Sequence, residues 1–327
     1  MKTILITGGL GFIGLNLIIN LLNNKKIKII NIDKISPSSN RVNIKHKNYK
    51  FIKIDISKKE KLFECIKYFK PDLVFHLAAE SHVDRSIVST KEFIYSNIIG
   101  TYNLLEILNF FLKNKKLSAN FKFIHVSTDE VYGSIKSGKF NENSNYKPNS
   151  PYSASKASSD LLVRSWFKTY NFPGIITNCS NNFGPYQNKE KLIPKIIFNI
   201  FNKKKIPIYG NGKNVRDWIF VDDHVSALKK ISSSGVIGHK YNIGGQNIKS
   251  NNEIVKIISN IMINKYVPYN PLDLVEYVDD RQGHDFRYAI SNKKINNELK
   301  WYPKSIFKNA LEMTVKWYYE NYFKSKK

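Results

Sequence analysis

A doubly wound parallel α/β domain carrying a smaller C-terminal α/β lobe is the architecture the sequence predicts, and three observations predict it. Short apolar runs alternate with helix-period segments through the first half of the chain. Those runs are apolar almost without a break, as strands are when helices cover both faces of a parallel sheet. Beyond about Thr177 the composition turns to Gly, Pro and Asn, which lengthens loops and leaves room only for brief strands.

Taken in order, "KTILIT" is the first strand and runs directly into a glycine-rich turn and a helix. "KIKIINID", "KFIKID", "DLVFHLA" and "KFIHVST" are the next four strands, spaced widely enough for crossover helices between them. Leu104–Leu112 and Leu161–Tyr170 belong to amphipathic helices whose aromatic and aliphatic positions are read as core or dimer interface. "NCSNNFGPYQNKEKLIP" and "YGNGKNVRDW" open a loop-rich lobe over the carboxyl ends of the strands. "WIFVDDHVSALKKI" then returns to a strand-then-helix pattern. The expected division is 1–177 for the sheet domain, rejoined by about 214–243, with 178–213 and 244–327 forming the lobe. No internal repeat is present, and the tail "FKSKK" is expected to fray.

With 327 residues, 42% of them hydrophobic, the chain can bury a substantial core. Lys and Arg number 52 against 26 acidic residues, a net charge of +26, which raises the question of a nucleic-acid partner. The positives are mostly Lys scattered among Asn and Ile along the whole chain, with no basic arm or aromatic-studded patch. They read as solvated surface, and no nucleic acid is expected to bind. Such a surface still steers anionic small molecules toward the protein, an effect that salt weakens. The two cysteines, Cys65 and Cys179, have neither metal-ligand spacing nor the pattern of a disulfide framework, so a reducing cytoplasm and no metal are expected. "MKTILITGG" is too soon broken by glycine to be a signal peptide, and no stretch approaches the ~18 apolar residues of a membrane span.

"ILITGGLGFIG" places Gly8, Gly11 and Gly14 immediately after the first strand and at the start of a helix. Glycine there lets the turn close, lets the backbone approach a pyrophosphate and lets the helix pack on the strand, while the helix amino end faces the negative charge. The spacing is one residue longer than G-x-G-x-x-G. Asp33 ends the second strand 19 positions after Gly14, where a carboxylate can bind both ribose hydroxyls and repel a 2′-phosphate. This Rossmann-type pattern predicts NAD rather than NADP, although Lys34 is placed to soften that repulsion. Asp55 at the end of the third strand is in reach of adenine, and Ala78 and Ala79 are small enough to let a cofactor lie against the backbone.

"SPYSASKASSD" carries Tyr152 and Lys156 at i, i+4 on a helix whose start is marked by Ser150 and Pro151. A free phenol titrates near ~10, so a tyrosine base at neutral pH needs a cation beside it, which Lys156 can supply. Following a glycine-rich turn and an "ST" at a strand end, the pair reads as the base of a dehydrogenase.

"TGGLGFIG", "HLAAESHVDRSI", "NIIGTYNLLE", "VSTDEVYG", "PYSASKASSD", "IYGNGKNVRDWIFVDDH" and "DRQGHDFRYAI" resemble, in order and over nearly the whole chain, the extended short-chain dehydrogenases of the nucleotide-sugar epimerase/dehydratase family. Within that family the acidic pair Asp129–Glu130 in "STDEVYG" resembles the dTDP-glucose 4,6-dehydratases, since epimerases typically carry small or neutral residues there. The resemblance implies a lyase in which Tyr152 takes the proton of the 4-hydroxyl as hydride passes to NAD. Glu130 then removes the proton on carbon 5, Asp129 protonates the departing 6-hydroxyl, and the hydride returns to carbon 6. Thr128 would bind the 4-hydroxyl and Lys156 the nicotinamide ribose. Phe12, Ile13 and Ile56 join the cofactor site by the same resemblance. Ser81, His82, Asn181, Lys191, Leu192, Arg216, Asn251, Arg281 and His284 match positions that hold the nucleotide sugar.

Adjacent residues of a continuing strand point to opposite faces, so Asp129 and Glu130 can serve one site only if the chain turns after Ser127. Held close, the two carboxylates push their protonation steps apart, and the sequence leaves open which one keeps the proton. Gln187, Asn188, Lys189, Gln282, Phe286 and the short "DKISPSSN" depart from the family pattern around the nucleotide pocket. They bear on thymine against uracil, a distinction of one methyl group worth only ~1–3 kcal/mol. The alternatives are a UDP-glucose 4,6-dehydratase, a UDP-sugar epimerase or decarboxylase, and a non-catalytic NAD-sensing protein. The two long helices at 91–113 and 151–170 suggest a homodimer through a four-helix bundle.

Overall fold

The computed structural model describes residues 1–263 and 265–324, so the last three residues of the "FKSKK" tail lie outside the described residues. The chain opens with β1 (Lys2–Thr7), α1 (Phe12–Leu22), β2 (Ile27–Asp33), β3 (Tyr49–Lys53), α2 (Lys59–Phe69) and β4 (Leu73–His76). α3 (Val83–Val88), α4 (Lys91–Phe93), a π-helical stretch at Ile94–Ile99 and α5 (Gly100–Lys113) lead to β5 (Lys122–Thr128). A 3-10 turn at Asp129–Tyr132 precedes α6 (Pro151–Tyr170) and β6 (Gly174–Cys179). β7 (Asn181–Phe183), α7 (Leu192–Phe201), β8 (Ile206–Tyr209), β9 (Val215–Phe220), α8 (Val221–Ser234) and β10 (Lys240–Ile243) follow. The chain then runs through β11 (Ile248–Ser250), α9 (Asn251–Ile263), β12 (Val275–Val278), α10 (Lys293–Leu299) and α11 (Phe307–Tyr322).

Seven strands pair in the order β3-β2-β1-β4-β5-β6-β10, all parallel. Successive side chains of a strand face opposite sides, and β1 shows the result: Ile4 and Ile6 pack with α1 and α8, while Leu5 packs with α2 and α5. Both faces are covered, which is why the strands read as unbroken apolar runs. The chain leaves β1 toward β2 on one side and reaches β4 on the other. That reversal opens a crevice at the carboxyl ends of these two strands.

The lobe above the crevice holds a three-stranded sheet, β11-β9-β7, and the two-stranded β12-β8. Of the stretch 214–243, β9 belongs to the small sheet, whereas α8 packs on α1 and β10 pairs with β6 at the edge of the large sheet. No helix among the described residues is long and apolar enough to cross a membrane.

α6 is the element on which the site depends, and its ends are set locally. The Ser150 side chain accepts from the Ser153 amide and the Ser153 side chain reaches back to the Ser150 amide. This reciprocal cap, stabilising by about 1 kcal/mol, is followed by Pro151 with its preset backbone angle. The helix ends where Asn171 takes a left-handed conformation, φ 53°.

Candidate active site

The glycine turn lies against the backbone of β4. A Cβ on Gly8, whose φ is +72°, would meet the Ala78 amide nitrogen at 2.6 Å, and one on Gly14 would meet the Gly8 carbonyl oxygen at 2.5 Å. The turn is therefore a shallow cradle that side chains would fill, with the amino end of α1 opening onto it. Asp33 closes its far side: its carboxylate accepts from the Leu10 amide at 3.1 Å and the Ile35 amide at 2.8 Å, which fixes the carboxylate beside the cradle. Gly8, Gly11, Phe12, Ile13, Gly14, Asp33, Asp55, Ile56, Ala78 and Ala79 all line one crevice. Lys34 is taken up elsewhere, with Nζ 2.7 Å from Glu80 Oε1 and 2.9 Å from Ser96 Oγ. A cradle free of side chains, a helix amino end and a carboxylate at the next strand end together fit a dinucleotide. They suit the unphosphorylated ribose of NAD, because the Asp33 charge stands unneutralised by Lys34.

The same crevice continues over the end of β5. The strand stops at Thr128, whose hydroxyl accepts from the Glu130 amide at 3.2 Å, and the 3-10 turn begins at once. That turn brings Asp129 and Glu130 to the same crevice as Thr128, Tyr152 and Lys156. The two acids are not equivalent. Burial pushes the Asp129 carboxyl well above the usual carboxylate range, and the charges of Glu130 and Asp217 push it further. Burial also raises Glu130, but Arg281, Lys191 and Arg216 pull it back toward ionisation. Both carboxyls are raised by burial, Asp129 with two carboxylates beside it and Glu130 with three cations beside it.

Tyr152 and Lys156 share one face of α6. The Lys156 ammonium turns toward β5 and donates to the Val126 carbonyl at 2.9 Å. Burial, with Glu130 next, holds the Tyr152 phenol well above its ordinary value. Burial lowers Lys156, an effect the Asp160 carboxylate opposes. Cys179, the residue after Asn178 on β6, lines the crevice beside them, its thiol pushed up to about 12 by burial.

Ser81, His82, Asn181 and Lys191 line the crevice, and Lys191 Nζ donates to the Ser81 carbonyl at 2.8 Å. Arg216, Arg281 and His284 belong to the lobe and do not line this crevice, although the charges of Arg216 and Arg281 act on Glu130. Arg216 is buried, donates to the Asp285 and Phe286 carbonyls and lies 4.4 Å from the Tyr288 ring centroid. Arg281 pairs with Asp84 of α3 at 3.1 Å, and Tyr209 donates to the same carboxylate at 3.2 Å, so this pair spans the cleft. His284 pairs with Asp280. Leu192 packs against the main core and Asn251 opens α9 with its amide on the Asn214 carbonyl; neither lines the crevice.

Several site residues escaped the sequence reading. Asn97, in the π-helical stretch, is fully buried: its side chain accepts from the Glu80 amide at 2.8 Å and donates to Ser155 Oγ at 2.8 Å. It ties the loop after β4 to α6. A π-helical turn, common at functional sites, is what aims it inward, and no residue pattern announces such a turn. Asp84, Glu190 and Arg85 were also missed; Arg85 holds Glu190 through two contacts of 2.6 and 2.8 Å. No group of three or more His, Cys, Asp or Glu that could hold a metal ion is present among the described residues.

A family model described as GDP-mannose 4,6 dehydratase matches residues 5–314. The chain is 45% identical to the dTDP-glucose 4,6-dehydratase of Neisseria meningitidis serogroup B, over 98% of this chain and 94% of that protein. Its fold superposes on DesIV, a dTDP-glucose 4,6-dehydratase of Streptomyces venezuelae solved with NAD bound, with a TM-score of 0.90, 38% identity and 98% of each chain covered. The dTDP-glucose 4,6-dehydratase of Bacillus anthracis, in complex with NAD, gives a TM-score of 0.86 at 42% identity with 100% of each chain covered.

Proposed function

This chain belongs to the dTDP-glucose 4,6-dehydratases, NAD-dependent hydro-lyases of the family whose model matches it, and on that premise we propose that Tyr152, Asp129 and Glu130 divide its proton transfers among them. The reaction turns dTDP-glucose into dTDP-4-keto-6-deoxyglucose and water. NAD, held along the Gly8–Gly14 turn by Asp33, supplies the acceptor for a hydride that returns to the sugar in the same turnover, and its positive ring lowers the neighbouring phenol. Tyr152, as the phenolate whose charge Lys156 offsets, takes the proton of the 4-hydroxyl, oriented by Thr128. The ketone so made acidifies carbon 5, whose proton Glu130 removes. Asp129 delivers its proton to the 6-hydroxyl, which leaves as water, and carbon 5 regains a proton as the hydride returns to carbon 6.

The observation that supports this division is the turn at Thr128, which leaves Asp129 with Glu130 and Asp217 opposed by Arg216, and Glu130 with Arg281, Lys191 and Arg216 opposed by Asp285. Arg216, Arg281 and Lys191 are cations suited to a diphosphate, with Ser81, His82, Asn181 and His284 around the sugar and nucleoside, while Leu192 and Asn251 stand outside the crevice. In this reading 1–177 and part of 214–243 hold the cofactor, and 178–213 with 244–327 hold the nucleotide sugar. Tyr95, Ile99, Tyr102 and Phe110 of the helix ending at Lys113 and Leu161 of α6 expose apolar surface on adjacent helices, which supports a homodimer through a four-helix bundle. Free, buried Cys65 and Cys179 fit a reducing cytoplasm. Incubation with dTDP-glucose and, separately, UDP-glucose, followed by mass spectrometry, tests the reading. Loss of one water from dTDP-glucose is expected, and unchanged mass with both sugars would replace it with epimerisation.

A further inference from the structure

Asp160 lies on the face of α6 that carries Tyr152 and Lys156, one turn beyond the lysine and two beyond the tyrosine. It is 1% exposed, and no step of the reaction above uses it. Its Oδ1 stands 3.1 Å from Nε2 of His125, a fully buried residue of β5. Its Oδ2 accepts from the Tyr146 hydroxyl at 2.8 Å and from Asn178 Nδ2 at 3.1 Å. Asn178 Nδ2 also donates to the Thr128 carbonyl at 3.0 Å, at the residue where the chain turns into the acidic pair.

A charged lysine in so dry a place is disfavoured unless an anion answers it, and its single hydrogen bond goes to a neutral carbonyl, that of Val126. Resting on the dehydratase reading, we propose that Asp160 is a positioning residue: a buried counter-charge, held by His125, Tyr146 and Asn178, that keeps Lys156 protonated while Tyr152 exchanges its proton. The groups facing Asp160 are consistent with an ionised carboxylate. They are His125 from β5, Lys156 on its own helix, Tyr146 and Tyr132 from the segment after β5, and Lys240 of β10, whose ammonium lies 4.4 and 5.0 Å from the Tyr146 and Tyr132 rings. Burial raises Asp160, but His125 and Lys156 reverse this and leave it below the ordinary carboxylate value. The Asp160 charge raises Lys156 against the effect of burial, whereas burial is the largest influence on the Tyr152 phenol, with Glu130 next.

The test compares the pH profile of kcat/KM for the wild-type enzyme, Asp160→Asn and Tyr146→Phe with dTDP-glucose. Asparagine keeps the shape and the acceptor oxygen but loses the charge, so Lys156 surrenders its proton sooner. The alkaline limb moves down by about one pH unit or more. Tyr146→Phe removes a hydrogen bond and leaves the charge, and its limb stays at the wild-type position. A limb in Asp160→Asn that coincides with wild type overturns the proposal, whatever the loss of rate. A thermal-unfolding cycle with Lys156→Met decides the matter without any substrate. Asp160→Asn lowers Tm, or prevents folding, in the wild-type background at mildly alkaline pH and does so less or not at all beside Lys156→Met. Equal losses in both backgrounds, including failure to fold in both, overturn it. A wild-type protein that leaves dTDP-glucose intact defeats the dehydratase reading alone, and the cycle still decides the role of Asp160.

Discussion

Asp129→Asn separates the two halves of the reaction. The substitution preserves shape and deletes the proton that the 6-hydroxyl needs on departure. Asp129 is 2% exposed, and burial with the Glu130 and Asp217 charges pushes its carboxyl well above the usual carboxylate range, the direction the proposed role of acid requires. A positioned general acid is worth about 100- to 10,000-fold, and kcat is expected to fall by that factor. Hydride transfer from carbon 4 precedes any demand on this proton. Stopped-flow absorbance of reduced nicotinamide therefore rises at close to the wild-type rate and then persists. In heavy water the variant still exchanges the proton on carbon 5, because Glu130 is intact, whereas Glu130→Gln does not. Stability moves the other way. An acid whose folded pKa is raised stabilises the fold fully below its unfolded value of about 3.9, and that contribution is lost as pH rises through the folded value. Asparagine stays neutral throughout, so the variant gains Tm over wild type as the solution becomes alkaline. Hydride transfer lost in proportion to turnover, or carbon 5 exchange surviving in Glu130→Gln, would refute this division of labour.

Four further outcomes follow from individual contacts. Gly8→Ala, forced against the Ala78 amide at 2.6 Å and a left-handed backbone, raises the Kd for NAD by about tenfold or more in titration calorimetry, from strain of about 1–3 kcal/mol. Asp33→Asn gives up charge-assisted hydrogen bonds worth about 1.5–3 kcal/mol and narrows the preference for NAD over NADP, read from the two affinities. His224 is lowered to about 3 by burial, so the unfolded chain binds its proton first and stability falls as pH drops from about 6.5 toward 3, by up to ~1.4 kcal/mol per pH unit. His224→Gln flattens that slope in acid thermal melts. Phe110→Lys, on the exposed apolar face of α5, shifts the protein toward monomer in sedimentation velocity if that face joins two copies.

What was legible in the sequence was local. Gly8, Gly14 and Asp33 fall into one crevice because a strand, a tight turn and a helix leave few alternatives. Tyr152 and Lys156 share a face because they stand four residues apart in a helix whose start is fixed by Ser150 and Ser153, close in the chain. What was not legible depends on partners far away in sequence. The Lys156 ammonium goes to Val126, 30 residues away, and Asp160 meets His125 across the interface between α6 and β5. Nothing local in "NVRDW" distinguishes Asp217, which acts on Asp129 only through the fold, and the core packing of Leu192 likewise depends on elements distant in the chain.

The charged surroundings of the acidic pair come from geometry that no single element supplies. β9 presents Arg216 and Asp217 in succession, and alternation along a strand sends neighbouring side chains to opposite sides. Across the crevice the 3-10 turn presents Asp129 and Glu130 in succession. Asp217 acts on Asp129 to hold its proton, while Arg216, joined by Arg281 and Lys191, acts on Glu130 to release its own. Arg216 also pulls on Asp129, yet burial and two carboxylates outweigh one cation there. The end of β5 alone would leave two buried acids in similar surroundings. In the proposed reaction it is the lobe, which supplies Arg216, Asp217 and Arg281, that distinguishes the acid from the base.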